Sequence, residues 1–397
     1  MSYTIETLEL QEFRNYNSAR IEFDSNLTIL HGPNAAGKTN IIEALQLLCT
    51  GESFRKPTRQ ELINTKLVES DQPEKYVKNL NSCILNKEEI RNQCCVTLRA
   101  SDGVLKRDIE LYISEKSKTF LLNEKKVRLN TEFAAVLPCV VFTPDDLRIV
   151  KESASRRRQE IDDLGSQLST RYGNLTAEYR KIVTQRNKLL KENQYRTEVF
   201  EAWTERLIDV GVALNSKRNS LFDRIIPHVL KYYDALLDEN QTDQQLTIYY
   251  ESTWGEAQDE ADFRATLEAR ANDEIIRKQS LVGPHRDDLI FEIAGRPSRN
   301  FASQGQQRSI VLAWKLAQLA VIEEITQTRP LLLLDDVMSE FDQMRRHFLT
   351  SVVGEVAQTV ITTANIDYFN QNLINRARTI CIPDDIVLAL LDEEEQM

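Results

Sequence analysis

The residues best equipped for chemistry lie in one run, Gly32-Pro33-Asn34-Ala35-Ala36-Gly37-Lys38-Thr39, with Asn40 behind it. Two glycines framing four residues, followed by Lys and Thr, is the pattern of a phosphate-binding loop. The glycines let the backbone curl so that successive N–H groups point inward at phosphate oxygens. Lys38 is expected to reach the β- and γ-phosphates as a mobile point charge and to act in catalysis. The Thr39 hydroxyl is expected to hold a Mg²⁺ ion. Upstream, Leu27-Thr28-Ile29-Leu30 reads as a short buried strand. Downstream, Ile41, Ile42, Leu45 and Leu48 recur at helical spacing. The loop is thus predicted at a helix N-terminus, whose partial positive charge favours an anion. This much implies a nucleoside triphosphate and is silent on what its energy is used for.

Two further runs supply complementary chemistry. Leu331-Leu332-Leu333-Leu334-Asp335-Asp336 is an apolar strand that ends in two carboxylates, a Walker B pattern that would deliver them to the ligand-binding edge of an α/β sheet. Asp335 is expected in the Mg²⁺ shell, and Asp336 beyond it as the group that orients or deprotonates the attacking water. Ser303-Gln304-Gly305-Gln306 opens a helix, so a hydroxyl, free N–H groups and a helix dipole form a second phosphate-binding site. The phosphate loop already serves its own nucleotide. The second site therefore reads as contact with a nucleotide held on a second subunit. It resembles the signature motif of the ATP-binding-cassette superfamily, in which two heads sandwich two ATP molecules. Ser339-Glu340-Phe341-Asp342 resembles the D-loop of that superfamily, which crosses the dimer interface.

The elements that must position these groups fall into three stretches. Tyr3 to Leu10 and Ile21 with Phe23 predict a hairpin ahead of the phosphate loop, with Arg14 and Asn15 at its turn. Those two residues read either as a solvated turn or as a contact to nucleotide or DNA phosphate. Residues 51–59 put Arg55, Lys56 and Arg59 beside Phe54 and Pro57, either an ordinary charged loop or one suited to a phosphate backbone. Residues 64–92 read as an irregular, mobile insertion. Alternation from Cys94 to Leu129 predicts an antiparallel sheet with one wet face, and Val136 to Phe142 a buried strand. From 151 to 240 the pattern is helical, with stripes such as Tyr172, Leu175, Tyr179 and Ile182. Strands and helices then alternate again to the short strand at Thr379–Ile382. The expected architecture is an α/β head, residues 1–150 and 241–397, with a mixed sheet and phosphate loop, carrying an inserted all-helical domain or short coiled-coil arm at 151–240.

Composition narrows the class. With 397 residues, 41 % hydrophobic and 28 % charged, the chain reads as a soluble multidomain protein. No apolar run approaches a bilayer span, and the start has no signal-peptide pattern, so a cytoplasmic protein without membrane contact is expected. Six cysteines without a C-x-x-C pair argue against zinc and a disulfide framework. A net charge of −11 argues against a globally basic nucleic-acid binder, although a local groove can be positive on an acidic protein. Asp392-Glu393-Glu394-Glu395 reads as a solvated tail.

Nearly end to end, the chain resembles the RecF family of bacterial recombination and repair proteins. The resemblance rests on Phe13-Arg14-Asn15-Tyr16, Gly32 to Thr39, Gly51 to Arg55, Phe142 to Leu147, Arg157-Arg158, and Tyr179 with Gln185-Arg186-Asn187. It continues through Gly283-Pro284-His285-Arg286-Asp287-Asp288-Leu289, Ser303 to Gln307, and Leu332 to Asp342. It implies an ATPase using ATP and Mg²⁺ that dimerises on ATP, binds double-stranded DNA and gap junctions, and acts with RecR and RecO in recombinase loading and restart of stalled forks. By that resemblance Arg55, Lys56, Arg59 and Arg156–Arg158 are candidates to grip DNA. Glu52 and Phe341 depart from the pattern. No switch histidine follows Thr362-Thr363, which suggests slow hydrolysis; no Q-loop glutamine stands out. The competing classes are a transporter ATPase subunit, a nuclease-linked defence ATPase and a nucleotide-binding scaffold without turnover. The helical insertion, the missing nuclease carboxylates, and the intact Lys38, Asp335 and Asp336 argue against these in turn.

Overall fold

The structure is a computed structural model describing residues 3–24, 26–64, 93–127, 137–237, 244–254, 259–353, 357–382 and 384. The expected insertion at 64–92, apart from Asn64, and the acidic tail lie outside the described residues. In chain order the strands are β1 (Thr4–Phe13), β2 (Tyr16–Glu22), β3 (Leu27–His31), β4 (Gln93–Ser101), β5 (Lys106–Ser114), β6 (Lys118–Leu122) and β7 (Lys125–Val127). They continue as β8 (Cys139–Phe142), β9 (Leu246–Glu251), β10 (Asp288–Ile293), β11 (Arg296–Pro297), β12 (Leu331–Asp335), β13 (Thr359–Thr363) and β14 (Arg378–Cys381). The longer helices are α1 (Lys38–Thr50), α2 (Ala154–Leu168), α3 (Thr170–Lys191), α4 (Glu198–Asp234), α5 (Glu260–Arg277), α6 (Gln304–Thr326) and α7 (Gln343–Val352). None is long and apolar enough to cross a membrane.

The chain divides into two compact units, Met1–Pro144 with Ile322–Met397, and Asp145–Val321. The first holds two sheets. A parallel one runs β14-β3-β13-β12-β8, and an antiparallel one β2-β1-β4-β5-β6-β7. The hairpin expected ahead of the phosphate loop is therefore part of the larger antiparallel sheet, joined to it through β1 and β4. Helix α1 packs in the core that both sheets share. Ile41, Ile42, Ala44, Leu45, Leu47 and Leu48 are all buried there with Val96, Leu111, Leu333 and Val360. The apolar residues of α1 pack against both sheets, so the helix that carries the phosphate loop cannot shift without disturbing both. Gln358 ties the sheets further. Its side chain accepts from Ile5 N at 2.7 Å and donates to Ile5 O at 2.9 Å and Asp24 O at 2.7 Å. The face of the antiparallel sheet expected to be wet carries a small apolar cluster of Cys95, Tyr112 and Leu121.

The second unit is where composition and packing part. The helical stretch 151–240 shares one core with residues far beyond it. Tyr172, Tyr179, Ile182, Leu207 and Leu214 pack with Trp254, Phe263, Leu267 and Val282. Buried charges extend the same link. Arg186 donates to Glu274 at 2.7 Å and to Ser280 at 2.9 Å. Arg218 grips Asp162 through two bonds of 3.0 and 2.9 Å and also donates to Pro284 O at 2.6 Å. Arg157 forks onto Asp288 with two bonds of 2.7 Å. Lys315 lies between Glu160 and Asp146, at 3.0 and 3.3 Å. Breaking such a buried pair by removing one partner costs about 3–5 kcal/mol, because a charge is left without compensation in a poorly solvated place. The three-stranded sheet β11-β10-β9 thus folds as one body with the helices, and the unit runs on to Val321 rather than ending near 240.

His285 belongs to this network. Its Nε2 donates to Ser280 O at 3.1 Å, which a carbonyl can only accept, so Nδ1 is the acceptor for the Tyr179 hydroxyl at 3.1 Å. Burial, aided by the charges of Arg286, Arg158 and Arg186, lowers its pKa to about 4. An unfolded histidine takes up its proton near pH 6.5, well above the folded value. The stability this contributes is therefore complete above the unfolded value and is lost as the pH falls toward the folded one, up to about 3 kcal/mol. The melting temperature should fall between about pH 7 and pH 5, and His285→Gln should flatten that slope. An unchanged slope in the variant would show that His285 does not carry the effect.

Candidate nucleotide site

The site is built where β3, β12 and β13 end at one edge of the parallel sheet. β3 leads through His31 into Gly32, and α1 starts at Lys38 with Gly37 before it in the left-handed region, φ 104°. Gly32 also has positive φ, and a Cβ there would come within 2.1 Å of Ile382 O. Both positions therefore require glycine. The strand–loop–helix placement expected for Gly32–Thr39 is what the backbone adopts.

β12 is buried along its whole length and brings Asp335 to that edge. The Thr39 hydroxyl donates to Asp335 Oδ1 at 2.9 Å, and the Thr362 hydroxyl on β13 donates to the same oxygen at 2.8 Å. Thr362 Oγ1 also accepts from Asp336 N at 3.0 Å. One hydroxyl thus orients both acidic residues. Burial pushes the Asp335 carboxyl up, and the bonds from Thr362 and Thr39 pull it back. Burial likewise raises Asp336, opposed by a backbone bond from Ala364 and by Lys38. Asp336 sits in the left-handed region at φ 51°, and its buried Oδ1 has no partner among the described residues. Lys38 is buried and donates to Gly32 O and Pro33 O, each at 2.8 Å. Burial lowers its pKa, and Asp336 and Asp335 raise it. A hydroxyl and a carboxylate 2.9 Å apart suit a hard cation that takes its remaining oxygens from phosphate and water. A carboxylate oxygen beside them without a partner among the described residues, Asp336 Oδ1, suits a water-orienting role.

Asn40 and Glu43 extend the site. Glu43 is fully buried on α1. It receives two bonds from Arg14, at 2.9 and 2.8 Å, one from Ser53 at 2.5 Å and a longer one from Arg55 at 3.4 Å. Arg55 also donates to Asn40 Oδ1 at 2.7 Å, and Asn40 Nδ2 donates to Asn15 Oδ1 at 2.7 Å. Arg14 is therefore neither a solvated turn residue nor free for a phosphate. Its guanidinium is spent on Glu43 and on Glu61 O. Sequence reasoning missed Glu43 and the bridging role of Thr362. A signal for Glu43 was present, since it is a lone charge inside the apolar run Ile41 to Leu48. Thr362 had none, because its importance comes from the register of β13 beside β12.

The signature run belongs to the second unit. Ser303 and Gln304 are exposed at the start of α6. Ser303 Oγ accepts from Gln306 N at 3.2 Å while Gln306 Oε1 accepts from Ser303 N at 2.7 Å, a reciprocal cap. The cap leaves first-turn N–H groups of Gln304 and Gly305 without intrahelical partners. Phe341 is buried against Phe142 in an edge contact of 5.7 Å, which accounts for its departure from the usual D-loop residue. The candidate DNA grip at Arg156–Arg158 is corrected. Arg157 is buried on Asp288, Arg156 pairs with Asp146 at 2.9 Å, and Arg158 donates to Asp287 O at 2.6 Å. Arg156 and Arg157 meet carboxylates and Arg158 a backbone carbonyl, all inside the unit. Arg55, Lys56 and Arg59 are exposed.

A phosphate loop and an acidic strand end meeting at one edge of a parallel sheet, with a helical segment and a capped signature helix, define a head of the SMC and RecF type. Residues 4–381 match the family described as RecF/RecN/SMC N terminal domain. The chain is 34 % identical to the DNA replication and repair protein RecF of Symbiobacterium thermophilum, over 91 % of this chain and 92 % of that one. It is 33 % identical to that of Thermosynechococcus vestitus over 99 % of both. A solved structure of the recombination mediator protein RecF with ATP in the RecFOR pathway superposes with a TM-score of 0.78 at 28 % identity, covering 93 % of this chain and 94 % of that one. The Smc head domain from Pyrococcus furiosus shares the fold at a TM-score of 0.51 and 14 % identity, over 97 % and 95 %. The chain belongs to the RecF family.

Thr362→Val preserves shape and removes the shared hydroxyl. It is expected to leave the KM for nucleotide within a few-fold and to lower kcat for hydrolysis about 10-fold or more, as loss of an orienting partner does. Steady-state kinetics on the variant would show the split. An unchanged kcat would remove Thr362 from the site.

Proposed function

We propose that this protein is an ATP-dependent DNA clamp of recombinational repair and a slow, DNA-stimulated ATPase. The observation that carries the reading is the meeting of Thr39, Asp335 and Thr362 at one sheet edge, within 2.9 Å. It supports ATP held with Mg²⁺ between Gly32–Asn40 and Asp335, Lys38 on the phosphates, and Asp336 on the attacking water. Ser303, Gln304, Gly305 and Gln306 form a second anion-binding helix start, best used on the nucleotide of a second copy. ATP then favours the closed dimer by its differential affinity for that state. The functional division into a head, 1–150 with 241–397, and an arm, 151–240, is part of the proposal. So are double-stranded and gapped DNA as ligand, RecR and RecO as partners, recombinase loading and replication restart as outcome, and the cytoplasm as location. Exposed Arg55, Lys56 and Arg59 are the side chains assigned to the DNA backbone.

Lys38→Arg should keep part of the ATP binding and lose most of the hydrolysis, about 100-fold or more, since a planar guanidinium does not replace a point charge in the loop. Normal turnover in this variant would refute the role of the loop. Size analysis by light scattering should show a dimer only with ATP, reinforced by gapped DNA, and Ser303→Arg should remain a monomer. If Ser303→Arg still dimerised with ATP, the sandwich would be wrong. Association with a membrane subunit instead of DNA would favour the transporter class.

A further inference from the structure

Helix α3 buries Tyr172, Tyr179 and Ile182 against Trp254, Phe263 and Val282, and its outward face is charged with one sign. Arg180, Lys181, Lys188 and Lys191 are all exposed. At about 3.6 residues per turn and about 1.5 Å per residue, they fall within about 100° of one another along about 16 Å of helix. The carboxylate of α3, Glu178, is turned away from them, since Arg206 of α4 holds it with bonds of 2.9 and 2.6 Å. Neighbouring acids neutralise little of the stripe. Asp162 lies 3.7 Å from Arg180, but Arg218 and the Tyr172 hydroxyl already hold it. Glu192 reaches Lys188 only at 4.0 Å, and a pair between two exposed side chains is worth little. Lys181 and Lys191 pair with no carboxylate among the described residues. The segment beside the helix adds a further cation. Asn187 Oδ1 accepts from Ser280 N at 2.6 Å and the Tyr179 hydroxyl bonds to His285 at 3.1 Å, so residues 280–285 run along α3. Arg286 follows them, exposed, with its Nε on Ser280 O at 3.0 Å. A chain of net charge −11 thus gathers cations on this one face.

The composition of the face selects its partner. Protein interfaces are anchored by aromatic and apolar side chains and are poor in lysine. This face is rich in lysine, and α3 exposes no large apolar side chain among the described residues. A phosphate backbone needs no apolar anchor and is held by point charges. We propose that α3, from Arg180 to Lys191, is a surface for the backbone of duplex DNA, bound without regard to sequence and in addition to Arg55, Lys56 and Arg59. The proposal rests on the reading of DNA as the ligand and gives the second unit its own share in holding it.

The test is an anisotropy titration of the full chain with labelled mixed-sequence duplexes, in ATP and Mg²⁺, over a series of salt concentrations. The wild type is compared with the triple variant Lys181→Gln, Lys188→Gln, Lys191→Gln. Loss of three phosphate contacts should weaken binding about 10-fold or more and lower the slope of log affinity against log salt by about 2–3, since each contact contributes about 0.9. The melting temperature and the affinity for ATP should match the wild type, because all three side chains are exposed. An unchanged slope would overturn the proposal, as would a loss confined to one duplex sequence. If polyglutamate bound the wild type as tightly as the duplex and lost as much affinity in the variant, the face would belong to an acidic protein and the proposal would be wrong. A wild-type chain that bound no DNA would sink the reading beneath. If Lys56→Gln lowered the slope while the triple variant did not, that reading would stand and the assignment of α3 alone would fail.

Discussion

The hydrogen bond from Thr39 to Asp335 joins residues 296 positions apart, and the geometry of the candidate site in the first unit depends on it. It exists because β3, β13 and β12 are parallel neighbours, in that order, with their ends in register. Parallel order sends every strand end to one edge, where α1 begins. The helix is fixed because both sheets bury it. Asp335, Asp336 and the phosphate loop are therefore positioned by the same core, and a packing change under α1 would be felt at both.

Charge is handled differently in the two units. In the first, buried charge is concentrated near the nucleotide loop, where Glu43 gathers Arg14, Ser53 and Arg55. In the second it serves cohesion. Arg157, Arg186, Arg218 and Lys315 each find a carboxylate in the interior. Such pairs add little net stability over apolar packing but penalise wrong pairings heavily. That asymmetry suits a unit assembled from distant segments, in which Asp162 must meet Arg218 and Asp288 must meet Arg157.

Much of this was legible beforehand. The phosphate loop, the Leu331–Asp336 strand and the capped start at Ser303 are local patterns, and local patterns survive folding. The strands at Leu246–Tyr250 and Leu289–Ile293 followed from alternation. The arginine run at 156–158 misled because sequence shows charge without showing partners. Arg14 misled in the same way, for its carboxylate lies 29 positions on. The composition boundary near 240 was real as a change from helix to strand, yet the compact unit crosses it.

By itself the sequence determined the nucleotide chemistry, the resemblance to the RecF family and most element types. Each of these depends on residue kind and short spacing. The tertiary structure decided which groups meet: Thr362 on Asp335 and Asp336, and Glu43 under Arg14 and Arg55. The reason is physical. Hydrogen bonds and buried charges act over a few ångströms, while the residues that make them stand tens to hundreds of positions apart, so only sheet order and register can bring them together.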